Sequence, residues 1–193
     1  QTFDYGIAIN WGVAEFAGWD VLQQQMSYCA WELARLRDTA ALAVVNTAIP
    51  TNHILSHTGS MAKAPVDHVI KESAAIGFPV KFAIVNPGDL MDMQGWTWTM
   101  PTISFSVADQ LVNQLYYGNY GGVQWFASPN ATSGTIYFGG LPEQTGWHVT
   151  KGTGRTDSDV DIVVGEDRHT VRDPLHAWYI GNSGLNLWRI NVI

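Results

Sequence analysis

The sequence is poor in cysteine and in basic residues, and it has no long hydrophobic run. Cys29 is the single cysteine among 193 residues, so an intrachain disulfide is excluded and the redox compartment stays open. No stretch approaches about 18 uninterrupted apolar residues, which predicts a soluble protein without a constitutive membrane span. Charged residues make up 14% of the chain, which is ordinary for a globular protein, and 10 basic residues stand against 17 acidic ones. The net charge of −7 argues against nucleic acid as a partner and against simple electrostatic attraction to anionic lipid.

Signatures of common enzyme classes are missing as well. The chain has no Gly-x-Ser-x-Gly elbow, no P-loop and no dinucleotide fingerprint. Cys29 falls on an apolar helical stripe, which favours a buried structural thiol over a nucleophile. His53 and His57 stand four residues apart, but no acidic or cysteine ligand completes the spacing. We therefore expect no metal and no cofactor. His148 and His169 are left as candidates for acid–base chemistry without a carboxylate partner.

An acidic stretch is the best remaining enzymatic candidate. Asp159 and Asp161 resemble the nucleotidyltransferase signature, in which two aspartates on one strand bind magnesium. That signature needs a third carboxylate on a later strand, and Leu185 to Ile193 contains no acid. Asp157, Asp159 and Asp161 also match the first ligands of a calcium loop. The glycine and the bidentate glutamate of such a loop are absent here. A nucleotidyltransferase-like enzyme is the minor alternative, and a plain acidic surface strand is favoured.

Aromatic residues and glycine are what the chain has in quantity. Nine Trp and 19 Gly predict many turns and many aromatic contacts. In the stretch from Trp96 to Phe126, a Gly/Asn-rich turn is flanked by four rings, those of Tyr116, Tyr117, Tyr120 and Trp125. Turns run over the surface, and rings with a polar tip suit a wet interface with a glycan, a lipid head group or a protein. The stretch therefore predicts a surface aromatic binding site.

Alternating apolar and polar residues predict a mainly β fold. Residues 2–11 alternate strictly, which is typical of a half-buried strand. Further strands are predicted at Val80–Val85, Thr135–Phe138, from Gly146, at Val160–Val164 and at Leu185–Val192. Short strands spaced about ten residues apart and separated by Gly, Pro and Asn favour a β-sandwich or barrel. We expect one domain over residues 1–193.

One long amphipathic helix is predicted between the first two strands. Asp20 and Gln23 resemble a capping box that starts it. Its apolar stripe recurs at three- and four-residue intervals, at Leu22, Met26, Cys29, Leu33, Leu36 and Ala40. Ala43 to Ile49 either finishes this helix or begins a strand, and Pro50 ends either. The stripe packs on a sheet or, alternatively, leaves the body of the protein to enter a membrane.

Four short motifs follow one another in the second half of the chain: Phe105-Ser106-Val107, Tyr117-Gly118-Asn119-Tyr120, Tyr137-Phe138 and Gly146-Trp147-His148. Their order and spacing resemble those of the actinoporins, the pore-forming cytolysins of sea anemones, and of their actinoporin-like relatives. The resemblance implies a β-sandwich flanked by one long amphipathic helix and a second, short helix. It covers roughly residues 100–150 and the last ten residues.

The resemblance also implies a phosphocholine site among aromatic residues. The positions that it assigns to the pocket are Ser106, Tyr117, Tyr120 and Tyr137, and the neighbouring rings of Tyr116, Trp125 and Trp147 join them as candidate ligand-binding residues. Tyrosine faces attract a quaternary ammonium group through cation–π contacts. The family's inserting helix corresponds to the stripe of Leu22, Met26, Leu33 and Leu36.

The function implied is that of a secreted toxin that binds a membrane surface, with pore formation by a homo-oligomer as the lytic activity. The alternative is a non-lytic, carbohydrate-binding lectin on the same fold, with a glycan as its partner. Both expectations place binding, rather than catalysis, at the aromatic site.

Overall fold

The computed structural model describes residues 3–10, 20–90, 92–93, 116–161 and 166–193. The chain forms two compact units, each built from two separate segments. Unit 1 comprises Gln1–Ala41 and His148–Trp178, and unit 2 comprises Leu42–Trp147 and Tyr179–Ile193. That residues 1–193 act as one domain stays a prediction. Ser106 and the motif around it lie outside the described residues.

Two helices and eleven strands make up most of the described structure. The helices are α1 (Asp20–Ala48) and α2 (Lys63–Ala75), with single turns α3 (Pro87–Leu90) and α4 (Pro142–Thr145) and 3-10 turns at Thr51–His53 and Asn182–Gly184. The strands are β1 (Asp4–Asn10), β2 (Ile54–His57), β3 (Phe82–Val85), β4 (Tyr116–Tyr120), β5 (Val123–Ala127), β6 (Thr135–Gly139), β7 (Gly146–Lys151), β8 (Arg155–Asp161), β9 (Glu166–Arg172), β10 (Leu175–Ile180) and β11 (Leu187–Val192).

The long helix is confirmed, and its C-terminal end is settled. Helix α1 continues through Ala48, because an alanine-rich run favours helix and the extended backbone of Pro50 follows it. On the predicted stripe, Cys29 and Leu33 are buried at 0% and 4% exposure. Met26 and Leu36 are half-buried, whereas the Leu22 side chain lies outside the described residues. The stripe is therefore a packing face.

The sheet of unit 1 has three antiparallel strands in the order β1-β9-β8. The first strand is confirmed with its predicted alternation: Phe3 is buried and Tyr5 and Ile7 are half-buried, whereas the residues between them are exposed. Strands β7 and β10 pair separately as a two-stranded ribbon. The side chains of Trp147 and Val149 on this ribbon are mostly exposed.

Unit 2 is organised by a six-stranded mixed sheet in the order β2-β11-β6-β3-β5-β4. The β11–β2 and β3–β5 pairs are parallel and the others are antiparallel. All five residues of the inner strand β6 are buried. Ile136 and Phe138 join one apolar cluster, and Tyr137 joins a second cluster with Leu187. Because neighbouring strand residues point to opposite faces, both faces of this sheet are covered.

The α+β class, the long helix and a second, shorter helix are confirmed. The finer expectation of a β-sandwich is not confirmed, because the main sheet is a single mixed sheet with parallel pairs. Parallel neighbours need a crossover connection rather than a hairpin, which is unlike the antiparallel meander that alternating strands favour.

Candidate functional site

Three of the rings assigned to a surface aromatic site are buried. Tyr120, Trp125 and Tyr137 are exposed at only 6%, 0% and 6%. The expectation that they face solvent is wrong, because the turn is shorter than the aromatic stretch. Only Gly121 and Gly122, with φ of 61° and 79°, connect β4 to β5, so the flanking rings occupy strand positions.

The buried rings have structural partners inside unit 2. The Tyr120 hydroxyl donates a hydrogen bond to Oδ1 of Asp67 on α2 at 2.7 Å, and Nζ of Lys63 lies 5.4 Å from the ring centroid. Burial, and then the bond to Asp67, raise the pKa of Tyr120 well above its ordinary value. Trp125 packs edge-on against Phe138, with 5.8 Å between the ring centroids. These rings stabilise the core and are not available to a head group.

The remaining predicted ligand residues divide into two sets. Ser106 and the side chains of Tyr116 and Tyr117 lie outside the described part of the chain. Trp147, in contrast, is 60% exposed and stacks on Tyr179, which is also 60% exposed. Their ring centroids are 5.5 Å apart with an interplanar angle of 13°. We call Trp147 and Tyr179 the aromatic pair.

The backbone around the aromatic pair is firmly held. The amide of Gly181 donates to the carbonyl of Thr145 at 2.9 Å, and Nδ2 of Asn186 donates to the Thr145 hydroxyl at 3.2 Å. At Gly146 a side chain would collide with the carbonyl of Tyr179, so the two segments approach closely. Two exposed apolar side chains, Leu141 and Leu185, lie in the same two segments. The aromatic pair therefore faces solvent from hydrogen-bonded backbone within unit 2.

A second exposed aromatic cluster lies in unit 1. Tyr28 and Trp31 on α1 are 48% and 57% exposed and stack with 6.0 Å between centroids. Tyr5 on β1 meets the Tyr28 ring edge-on at 6.1 Å. The hydrogen bond with Glu32 raises the pKa of the Tyr28 hydroxyl, so this ring stays neutral over the ordinary pH range. A lone exposed ring is normal on a protein surface, whereas stacked exposed pairs indicate a contact surface.

The polar candidates are engaged in structural contacts. Nδ1 of His53 donates to the Leu187 carbonyl at 3.0 Å, and its ring stacks on Trp188. Asp157 lies 3.5 Å from Arg155 on its own strand and 3.3 Å from Arg172 on the neighbouring strand β9. The side chains of Asp159, Asp161 and His169 lie outside the described residues. Within the described ranges, no group of three His, Cys, Asp or Glu side chains is placed to hold a metal.

One cluster was missed by the sequence reasoning. His148 contacts His176, and His176 contacts Asp173, so a carboxylate does stand behind His148. The three-residue interval from Asp173 to His176 was a local signal for part of this cluster. The partnership with His148 depends on the pairing of β7 with β10, which local patterns do not reveal.

No helix in the described part of the chain combines the length and apolarity needed to cross a bilayer. For α1 this agrees with the burial of Cys29 and Leu33, which need an apolar partner within the protein. The membrane-inserting role assigned to Leu22, Met26, Leu33 and Leu36 has no support in this packing.

Sequence comparison finds no relatives: neither a protein-family model nor a curated protein matches the chain. Structural comparison, in contrast, finds proteins with a similar fold. The holo-SrpI encapsulin from Synechococcus elongatus has a TM-score of 0.70 at 8% identity, over 99% of this chain and 73% of that one. A virus-like particle from Pyrococcus furiosus has a TM-score of 0.66 at 10% identity, over 99% of this chain and 76% of that one. The mature capsid of bacteriophage PhiM1 has a TM-score of 0.64 at 12% identity, over 100% of this chain and 71% of that one.

These likenesses overturn the actinoporin resemblance. The matches extend over 99–100% of the chain, whereas the four motifs span only a few residues each. The cytolysin and toxin function, the lectin alternative and the secreted location all rested on that resemblance and are wrong. The lipid head group and the glycan lose their support as partners, since three of the rings assigned to them, those of Tyr120, Trp125 and Tyr137, are in the core. In its fold, this chain is similar to encapsulin and bacteriophage capsid proteins.

Proposed function

We propose that the protein is a subunit of a self-assembling protein shell, and that copies of this chain are its main partner. The fold match carries the proposal, because it covers 99–100% of the chain and recurs in an encapsulin, a virus-like particle and a capsid. A homo-oligomer was also expected from the sequence, although for a pore rather than a shell. Such a shell assembles inside the cell that makes it.

Exposed aromatic surfaces support self-assembly. Trp147 and Tyr179 are both 60% exposed and are held in place by the surrounding backbone. Interfaces concentrate their binding energy in Trp and Tyr anchors that a partner desolvates. Because the pair is ordered before binding, little side-chain entropy is lost when a second copy covers it. The pair is therefore our candidate for an anchor between subunits.

The proposal is tested by the mass and shape of the purified chain. A single chain has a mass of 21.3 kDa. We expect light scattering after size exclusion to give particles many times heavier, and negative-stain microscopy to show closed shells. A chain that stays monomeric at every concentration tested would overturn the shell function.

The aromatic pair is tested by a double variant, Trp147→Ser with Tyr179→Ser. We expect the concentration at which particles form to rise by at least about tenfold, since interface anchors of this type contribute about 2 kcal/mol or more. The matched control is Thr150→Ala, which changes an exposed polar residue on the same strand. Unchanged assembly of the double variant would remove the pair from the interface but leave the shell function standing.

The acidic composition makes nucleic acid an unfavourable direct partner. With 17 acidic and 10 basic residues, the chain releases few counterions on contact with phosphates. We propose that the shell wall itself does not bind nucleic acid. Washed particles should show the ultraviolet absorbance ratio of protein alone, and nuclease treatment should leave assembly unchanged.

A further inference from the structure

Helix α1 carries an exposed strip on the side away from its buried stripe. Side chains three and four residues apart share one face of a helix, and those of the strip are Gln24, Tyr28, Trp31, Arg35 and Asp38. All five are exposed, whereas Cys29 and Leu33 on the other side of the helix are buried. We call these five residues, which all belong to unit 1, the α1 strip.

The rings of the α1 strip are held in place by their own neighbours. Tyr28 stacks on Trp31 with 6.0 Å between centroids, and its hydroxyl donates to Oε1 of Glu32 at 3.1 Å. Nε of Arg35 donates to the other oxygen of that carboxylate, Oε2, at 2.7 Å. Because these side chains are ordered within one chain, little conformational entropy is lost when another surface covers them.

The N-terminal half of the α1 strip carries no charge. No residue from 21 to 31 is charged, although the whole chain has a net charge of −7. Interface cores are depleted in charged residues and enriched in Trp and Tyr. Like charges that face each other oppose association, and this half of the strip has none to oppose a second copy of the same acidic chain.

We propose that two copies of the chain associate through the α1 strip as an antiparallel dimer, with a two-fold axis at Trp31. The contact rests on the proposed shell function and assigns one of its subunit interfaces. A two-fold axis makes the same surface serve both copies. A residue that precedes Trp31 by a given number of positions therefore lies opposite the residue that follows Trp31 by the same number in the second copy.

The charged residues of the α1 strip decide the orientation. Arg35 and Asp38 follow Trp31 by four and seven residues, so in the antiparallel dimer they lie about 12 and about 21 Å along the axis from their own copies. Arg35 comes beside the Tyr28 ring of the second copy, whose face attracts a cation. Asp38 comes opposite the Gln24 amide, which donates hydrogen bonds. A parallel dimer would instead bring each charge against its own copy, so like-charge repulsion disfavours it.

Engineered cysteines test this dimer on the full chain. The double variant is Gln24→Cys with Asp38→Cys in a Cys29→Ser background. Within one helix the two positions are about 21 Å apart, too far for a disulfide, whereas between antiparallel copies they face each other. After oxidation we expect the double variant to migrate mainly as a covalent dimer on non-reducing electrophoresis. A mixture of the two single variants should also give the dimer, and each single variant alone should stay monomeric.

The cross-linking results distinguish the orientation from the shell function. Single variants that cross-link to themselves would show a parallel dimer, and a lack of dimer in the double variant would show that the strip is not an interface. Either result overturns the proposal. Particles that form without these cross-links remove this contact alone and leave the shell function standing. Failure of the shell function shows instead as the absence of particles.

A substitution at the axis provides a second measurement. Trp31→Ser should raise the concentration at which particles form by at least about tenfold, because the ring is covered in both copies at once. The matched control is Gln25→Ala, which changes an exposed residue of the same helix outside the α1 strip. Equal effects of the two substitutions, or no effect of Trp31→Ser, would contradict the dimer.

Discussion

At the scale of single residues, exposure separates two kinds of aromatic side chain that look alike in the sequence. Trp125 follows a Gly-Gly turn and Trp147 follows a single glycine, yet the first is 0% exposed and the second 60%. Trp125 alternates with the exposed Gln124 on a strand whose inner face meets Phe138. Trp147 lies on β7, whose side chains from 147 to 151 are all exposed. Neighbouring strands, rather than residue type, decide which ring is available.

The hydroxyl of Tyr120 has a measurable structural role. Tyr120→Phe removes the hydrogen bond to Asp67 and should lower the free energy of unfolding by about 2 kcal/mol near neutral pH. Because burial raises the pKa of Tyr120, the folded protein keeps the neutral phenol while the unfolded chain ionises above about pH 10. The contribution of the Tyr120 hydroxyl to the free energy of unfolding is thus fully present below about pH 10 and is lost as the pH rises above that value. The native protein and the variant should converge in alkali.

Urea unfolding at about pH 8 and about pH 10.5 tests this convergence. Tyr179→Phe is the matched control, since that ring is 60% exposed and removal of its hydroxyl should change the free energy by less than about 0.5 kcal/mol. If the difference in unfolding free energy between the native and Tyr120→Phe proteins widened with pH, it would contradict the role assigned to the Tyr120 hydroxyl.

At the scale of elements, local periodicity was sufficient for β1 and α1 but not for the sheet. The alternation at Phe3, Tyr5 and Ile7 and the stripe through Leu33 depend only on neighbours along the chain. The parallel pairing of β11 with β2 joins Arg189 to Ile54, far apart in sequence. No local pattern encodes such a pairing, so the order of the strands was not predictable, and β2 itself was not predicted, nor were β9 and β10.

Helix α1 can be monitored through its single thiol. Cys29 is fully buried, and burial raises the pKa of the Cys29 thiol, so little reactive thiolate reaches solvent. We expect an aromatic disulfide reagent at about pH 8 to label Cys29 at least about a hundredfold more slowly than an unfolded cysteine. The control is Ser27→Cys in a Cys29→Ser background, because residue 27 is exposed on the same helix. Equally fast labelling of both would show that the stripe is open.

At the scale of the whole molecule, each compact unit is assembled from two distant segments. The three motifs of the actinoporin resemblance that fall on described residues lie within or beside individual strands and carry no information on how the distant segments combine. Tyr137-Phe138 belongs to the buried central strand, and Gly146-Trp147-His148 begins the exposed ribbon. At 8–12% identity to the structures it matches, the chain shares their fold but too little sequence for a common motif to be recognised.

Assembly should also make thermal stability depend on concentration. If subunits bind one another only when folded, mass action raises the melting temperature as the protein concentration rises. We expect a clear upward shift for the native chain and a much smaller one for Trp147→Ser with Tyr179→Ser, measured by calorimetry across a hundredfold dilution series. Identical, concentration-independent melting of both proteins would show that these surfaces do not bind subunits.

The position of β11 has a consequence for synthesis. Leu187–Val192 is translated after the other five strands of its sheet, yet it lies between β2 and β6. While the ribosome is still working, β2 lacks its neighbour and Trp188 and Ile190 are missing from the apolar cluster. A nascent chain therefore cannot complete this sheet before β11 has been made.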